Sequence, residues 1–116
     1  MRFLAFFIAL LGAVAPASGQ AAATSDSVQA GHKLAILVCA NCHVAAADQP
    51  SEPILRPPAA SFQSIAQRKS VDALWLENYL KTTHRGLDQP NGMPNPQLLD
   101  FQIKQVADYL LSLRKN

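Results

Sequence analysis

The two cysteines of this chain stand in a single five-residue string, Cys39-Ala40-Asn41-Cys42-His43. The C-x-x-C-H spacing is the attachment sequence of a c-type haem. Two thiols three positions apart on one helical turn can each add to a different vinyl group of a porphyrin. The next residue can then turn its imidazole toward the iron. Once both sulfurs are thioethers, no cysteine remains for a disulfide or for thiol redox chemistry. A fold carrying this string has to close around a large, rigid and mostly apolar plate.

Other readings of the string lack support. A thioredoxin-like C-x-x-C follows a strand and opens a helix inside a βαβ pattern, whereas residues 31–38 show no strand signature and no second βαβ half follows. A structural zinc site needs four ligands. Beyond the cysteines only His32, His43 and His84 could contribute, and they lack the paired spacing of zinc ribbons. A disulfide between Cys39 and Cys42 would close too small a loop to stabilise much.

Met1-Arg2 is followed by an apolar run over 3–14 and then by Ala15-Pro16-Ala17-Ser18-Gly19. One positive charge, a short apolar core and small residues make a secretory signal peptide. The run is shorter than the about 20 apolar residues that a membrane span needs. Several small-x-small triplets overlap between Ala17 and Ala23, so residues 1–23 read as signal peptide and short disordered leader, and 24–116 as one domain. About 95 residues remain, enough for one small domain and not two. So small a domain buries a limited share of its surface and gains from a cofactor, so the apo-chain is expected to be much less stable than the holo-protein. Without Arg2, nine basic residues face eight acidic ones. No basic run suggests nucleic acid, no strong field suggests steering, and no integral span is left once the signal is removed.

Ser25 or Ser27 is expected to cap an amphipathic helix carrying Val28, Gly31, Leu34, Ala35, Ile36, Leu37 and Val38 into the string. Residues 44–60, with Pro50, Pro53, Pro57 and Pro58, read as an irregular loop. Ser61 to Ala66 can form a short helix burying Phe62, Ile65 and Ala66. Ser70 is expected to cap a helix from Val71 to Lys81, in which Trp75 shares helical spacing with Val71 and Leu74 and reads as core. Residues 82–97, with Gly86, Pro90, Gly92, Pro94 and Pro96, form a second loop. Asp100 to Arg114 is the last helix, with Ile103, Val106, Ala107, Leu110 and Leu113 on one face. His32 reads as solvated. The architecture is all-α.

The chain resembles the class I monohaem cytochromes c, small bacterial periplasmic type, over about Ser27 to Lys115. Cys39-x-x-Cys42-His43 carries the resemblance most strongly. Second is Gly31, eight residues ahead of Cys39, paired with Tyr109 on the last helix. In this family the first and last helices cross at a glycine with an aromatic against it, and a residue without a side chain lets two backbones approach closely. Many relatives carry an aromatic four residues after that glycine, where this chain has Ala35. The resemblance implies about four helices packed around one covalently bound haem c. It implies loading outside the bacterial cytoplasm, hence a periplasmic location. The stretch from Pro57 to Ala66 is similar to the family segment in which a proline carbonyl accepts a hydrogen bond from the ligand histidine. Pro58, or else Pro57, is the candidate; such an acceptor fixes the imidazole tautomer.

An axial ligand opposite His43 has two candidates. A thioether sulfur is soft and raises the reduction potential relative to two imidazoles. Met1 leaves with the signal peptide, so Met93 is the only thioether of the mature protein. Its position, in Asn91-Gly92-Met93-Pro94, is a loop ahead of the last helix, as in relatives. Pro94 biases Met93 toward extended backbone. The rival is His84, nine residues earlier; Met93 is favoured. With both axial positions filled by protein, iron has no open site. The resemblance then implies a periplasmic carrier of single electrons between redox partners, not an enzyme, with His43 and Met93 as iron ligands. A tightly bound haem subunit of a larger periplasmic oxidoreductase is the alternative. A gas-binding sensor would require Met93 to be off the iron. Lys33, Lys69, Lys81 and Arg85 are the cations from which a modest docking rim could be made.

Overall fold

Thr24 opens the first helix, because its hydroxyl accepts from the Ser27 N–H at 3.2 Å and satisfies one of the donors a helix start leaves free. The structure, a computed structural model, describes residues 23–82 and 92–115. Among these residues it is all-α. α1 spans Ser25–Leu34 and runs on as a π-helical turn, Ala35–Cys39. α2 spans Phe62–Ala66, α3 Ala73–Lys81 and α4 Asp100–Ser112. No strand forms among the described residues; a parallel bridge joins His43 to Ala59.

Two N-caps lie one or two residues from where the sequence placed them. Thr24 takes the role expected of Ser25 or Ser27, and Asp72 that expected of Ser70. The Asp72 carboxylate accepts from the Trp75 N–H at 2.8 Å, and an acidic side chain there also suits the positive end of the helix. Ser61 caps α2 through the Ser64 N–H at 3.1 Å. At α4 Leu99 has no acceptor to offer, and the Gln102 side chain reaches back to the Leu99 N–H at 2.9 Å.

α1 packs on α4, and Gly31 is the reason they can approach. A Cβ at this position would lie 1.9 Å from the Gln105 carbonyl oxygen and 2.8 Å from Tyr109 Cβ, so no side chain fits between the backbones. Beside the crossing, Asp108 is buried yet charged. Its Oδ2 accepts from Ser27 Oγ at 2.6 Å and from Lys104 Nζ at 2.7 Å, supplying the partners a buried carboxylate requires. The core gathers Ala35, Phe62, Ala66, Val71, Leu76, Leu80, Ile103, Val106, Ala107, Tyr109 and Leu110.

α2 is held by the other end of α4. Gln63 and Gln67 donate to the Leu113 carbonyl at 2.9 and 3.1 Å. Arg114 donates to the Ala66 carbonyl at 2.8 Å and also to those of Arg68 and Val71. The carbonyls of Ala66 and Val71, which a short helix and its exit leave open, are thereby satisfied, while that of Arg68 also accepts from the Val71 N–H at 3.2 Å. Trp75 departs from its expected place in the core. It is 41% exposed and stacks on Tyr79 at 4.7 Å, and Leu74 is 69% exposed. Only Leu76 and Leu80 of α3 are buried, because α3 is covered on one side alone.

Candidate functional site

The π-helical turn delivers the cysteine string at its end. The Cys39 carbonyl accepts from the Cys42 N–H at 3.1 Å and the His43 N–H at 2.9 Å, which folds the string into a tight turn. Cys39 is buried and Cys42 half-buried, and both are free thiols rather than a disulfide. Burial, reinforced by the neighbouring Cys42, pushes the Cys39 thiol up to about 11. Among the described residues, which do not include His84, no three His, Cys, Asp or Glu side chains converge as a metal site.

His43 is oriented by its Nδ1, which donates to the Ala60 carbonyl at 2.6 Å. The ring also meets Phe62 edge-on, with centroids 5.6 Å apart. The acceptor is thus Ala60, not Pro58 or Pro57. The cause is the parallel pairing of two short extended segments. The Ala59 N–H donates to the Cys42 carbonyl at 2.8 Å, and the Phe62 N–H to the Val44 carbonyl at 3.0 Å. Between those two bonds the Ala60 carbonyl is the one brought to the imidazole, and both prolines stay exposed. A donating Nδ1 leaves the Nε2 lone pair free for a metal.

The turn after His43 is fastened to both crossing helices. Tyr109 Oη donates to the buried Ala45 carbonyl at 3.0 Å, and the Gln49 side chain accepts from the Ala45 and Ala46 N–H groups at 2.7 and 3.2 Å. His32 is not solvated as expected. Its Nε2 bonds to Asp48 Oδ1 at 2.7 Å, and its ring meets Tyr109 edge-on at 5.1 Å. That hydrogen bond is the main influence holding the Asp48 carboxyl below the usual carboxylate range. Nothing in the sequence pairs positions 32 and 48; only the turn brings them together.

Met93 is half-buried against the core. Its loop is moored at both ends: Asn95 Nδ2 donates to the Lys81 carbonyl at 3.0 Å, the Gln97 N–H donates to Asn95 Oδ1 at 2.8 Å, and Lys81 pairs with Asp100 at 3.3 Å. Gln97 adopts φ 53°, the left-handed turn that ends the loop. His84 and Arg85 lie outside the described residues, as does the apolar run 3–14. No helix among the described residues is long and apolar enough to cross a membrane.

The surroundings of the string fit a flat apolar group. Leu37 is 77% exposed and Ile54 78%, and Val38, Val44 and Leu55 also present apolar surface. Ile54 and Leu55 are fixed to the string itself, since their N–H groups donate to the Asn41 carbonyl at 2.9 and 3.3 Å. Five large aliphatic side chains left open around two thiols and a free imidazole nitrogen are a surface made to be covered.

The Cytochrome c family model matches residues 28–114. The match takes in the crossing glycine, the cysteine string, Met93 and all of α4, so the chain belongs to the cytochrome c family. Members bind haem c covalently and act in electron transfer. Comparison with curated proteins and with solved structures gives no significant match.

Proposed function

We propose that this protein is a periplasmic monohaem cytochrome c that passes single electrons between redox proteins. Cys39 and Cys42 would form the two thioethers, and His43 and Met93 would hold the iron. The bound haem supplies a one-electron ferric/ferrous couple. The chain's own residues do the rest. The Ala60 carbonyl keeps the proton on His43 Nδ1, so Nε2 is presented as the donor in both oxidation states. Phe62 blocks rotation of the imidazole. The moorings of the 92–97 loop hold the Met93 thioether against the core rather than in water. His43 and Met93 together would leave no place for a substrate at the iron, which supports a carrier over a catalyst.

The observation that carries this reading is the 2.6 Å bond that fixes His43 directly after two free thiols. The exported protein should gain the mass of one haem, and its reduced pyridine complex should show a haem bound through two thioethers. The oxidised protein should carry the weak near-infrared sulfur-to-iron band, and Met93→Ala should abolish it. A bare polypeptide mass overturns the attachment; persistence of the band in Met93→Ala overturns the ligand.

A further inference from the structure

The ends of α2 and α4 meet at an open cavity of about 320 Å³ lined by Ala66, Gln67, Arg68, Lys69, Arg114 and Lys115. Four of its six lining residues are cations and none is acidic. Elsewhere on the described surface, charges are more evenly matched: Lys81 pairs with Asp100 and Lys104 with Asp108. Arg68, Lys69 and Lys115 are exposed, and their side chains make no ion pair or hydrogen bond among the described residues. The carbonyl bonds of Arg114 fix its charge in place without neutralising it. Favourable placement of a cation at a helix C-terminus accounts for Arg114. It does not account for three more cations with nothing to bind. Like charges gathered this closely repel one another, and a negative surface relieves that repulsion.

We propose that this basic groove is a docking surface for an acidic segment of a protein partner, lying apart from the residues of the haem string and the Met93 loop. The inference rests on the electron-transfer reading for the partner's identity as a redox protein, but not for the binding itself. A small oxyanion fits less well, because three of the backbone donors at the groove are committed. The Arg68 N–H goes to the Ile65 carbonyl at 3.1 Å, the Arg114 N–H to that of Leu111 at 3.2 Å, and the Lys115 N–H to Gln67 Oε1 at 3.5 Å. Three long, mobile cationic side chains around an open groove match carboxylates spread along a chain. The surface also redirects the expected rim: Lys69 belongs to this groove, and Lys81 is already paired.

Titration of the haem-loaded protein with a hexaglutamate peptide, followed by amide NMR at low ionic strength, tests the assignment. Saturable shifts should concentrate at residues 66–69 and 113–115 and should vanish at about 0.5 M salt, where the Debye length is only a few ångströms. Arg68→Glu with Lys69→Glu should weaken binding at least about tenfold. Gln29→Glu with Lys33→Glu, a similar change of charge on the exposed face of α1, should leave it close to wild type. The proposal is overturned if the second pair weakens binding as much as the first, or if the shifts are spread over the surface. It is also overturned if inorganic phosphate gives the same saturable shifts at concentrations as low as the peptide's. Because no electron is transferred in this assay, its outcome is independent of the carrier reading, which the haem mass and the near-infrared band decide.

Discussion

Replacing Gly31 with alanine asks whether the two crossing helices are separated by nothing more than a hydrogen atom. The added methyl would sit 1.9 Å from the Gln105 carbonyl oxygen, 2.5 Å from its carbon and 2.8 Å from Tyr109 Cβ. Ordinary contact begins near 3.4 Å, so the helices would have to part by about 1.5 Å. The obstacle is backbone and cannot rotate aside. A shift of that size carries the Ser27–Asp108 bond, now 2.6 Å, and the Tyr109–Ala45 bond, now 3.0 Å, beyond effective hydrogen-bond length. Losing those two bonds, one of them to a carboxylate, costs about 2–4 kcal/mol, and residual overpacking adds about 1 kcal/mol. Alanine's better helix propensity returns about 1 kcal/mol. The net loss is about 3 kcal/mol. With a guanidinium slope of about 3 kcal/mol per molar, the unfolding midpoint should fall by about 1 M. Gln29→Ala, exposed on the same helix, should stay within about 0.5 kcal/mol of wild type. A Gly31→Ala protein with an unchanged or raised midpoint, as propensity alone would give, refutes the reasoning.

Tyr109→Phe should cost about 1–2 kcal/mol by leaving the buried Ala45 carbonyl without its donor, measured as a lower denaturation midpoint. Arg114→Ala should cost about 2–3 kcal/mol, since it strips donors from the carbonyls of Ala66, Arg68 and Val71; Arg114→Lys should recover less than half, because one ammonium cannot span three acceptors. The pH dependence of stability should carry the signature of Asp48. Its hydrogen bond from His32 depresses the folded-state value below the unfolded one of about 3.9. The stabilisation is therefore complete above the unfolded value and drains away as pH falls through the folded one. The midpoint gap between wild type and Asp48→Asn should hold steady above about pH 5 and close below about pH 4; a gap that widens on acidification would refute the assignment.

The attachment string could be read from the sequence because its chemistry is local: two vinyl groups dictate the separation of two sulfurs. The α-helices and the crossing glycine were equally accessible, one from periodicity and the other from the tyrosine that answers it on the last helix. What escaped depends on segments that meet only after folding. The imidazole's acceptor is Ala60 because two extended stretches pair in parallel, and no local preference distinguishes its carbonyl from that of Pro58. Helical spacing put Trp75 with Val71 and Leu74, but spacing cannot say that α3 is covered on one side only. His32 looked like a surface residue until the turn beyond His43 carried Asp48 to it. Arg114 closes the last helix of the sequence reading, and nothing local says that it also straps two helix ends together.

The π-helical turn at Ala35–Cys39 has a bearing on how this chain tolerates change in length. Such a turn takes up one residue more than an α-helix would over the same rise. Deleting one residue between Ala35 and Val38 would therefore let the segment wind as ordinary α-helix with both sulfurs left near their present direction, whereas deleting Lys33 or Leu34 from the α-helical part would swing them about 100° around the helix axis relative to Gly31. Every functional side chain would survive the second deletion, and the thiols would face the wrong way.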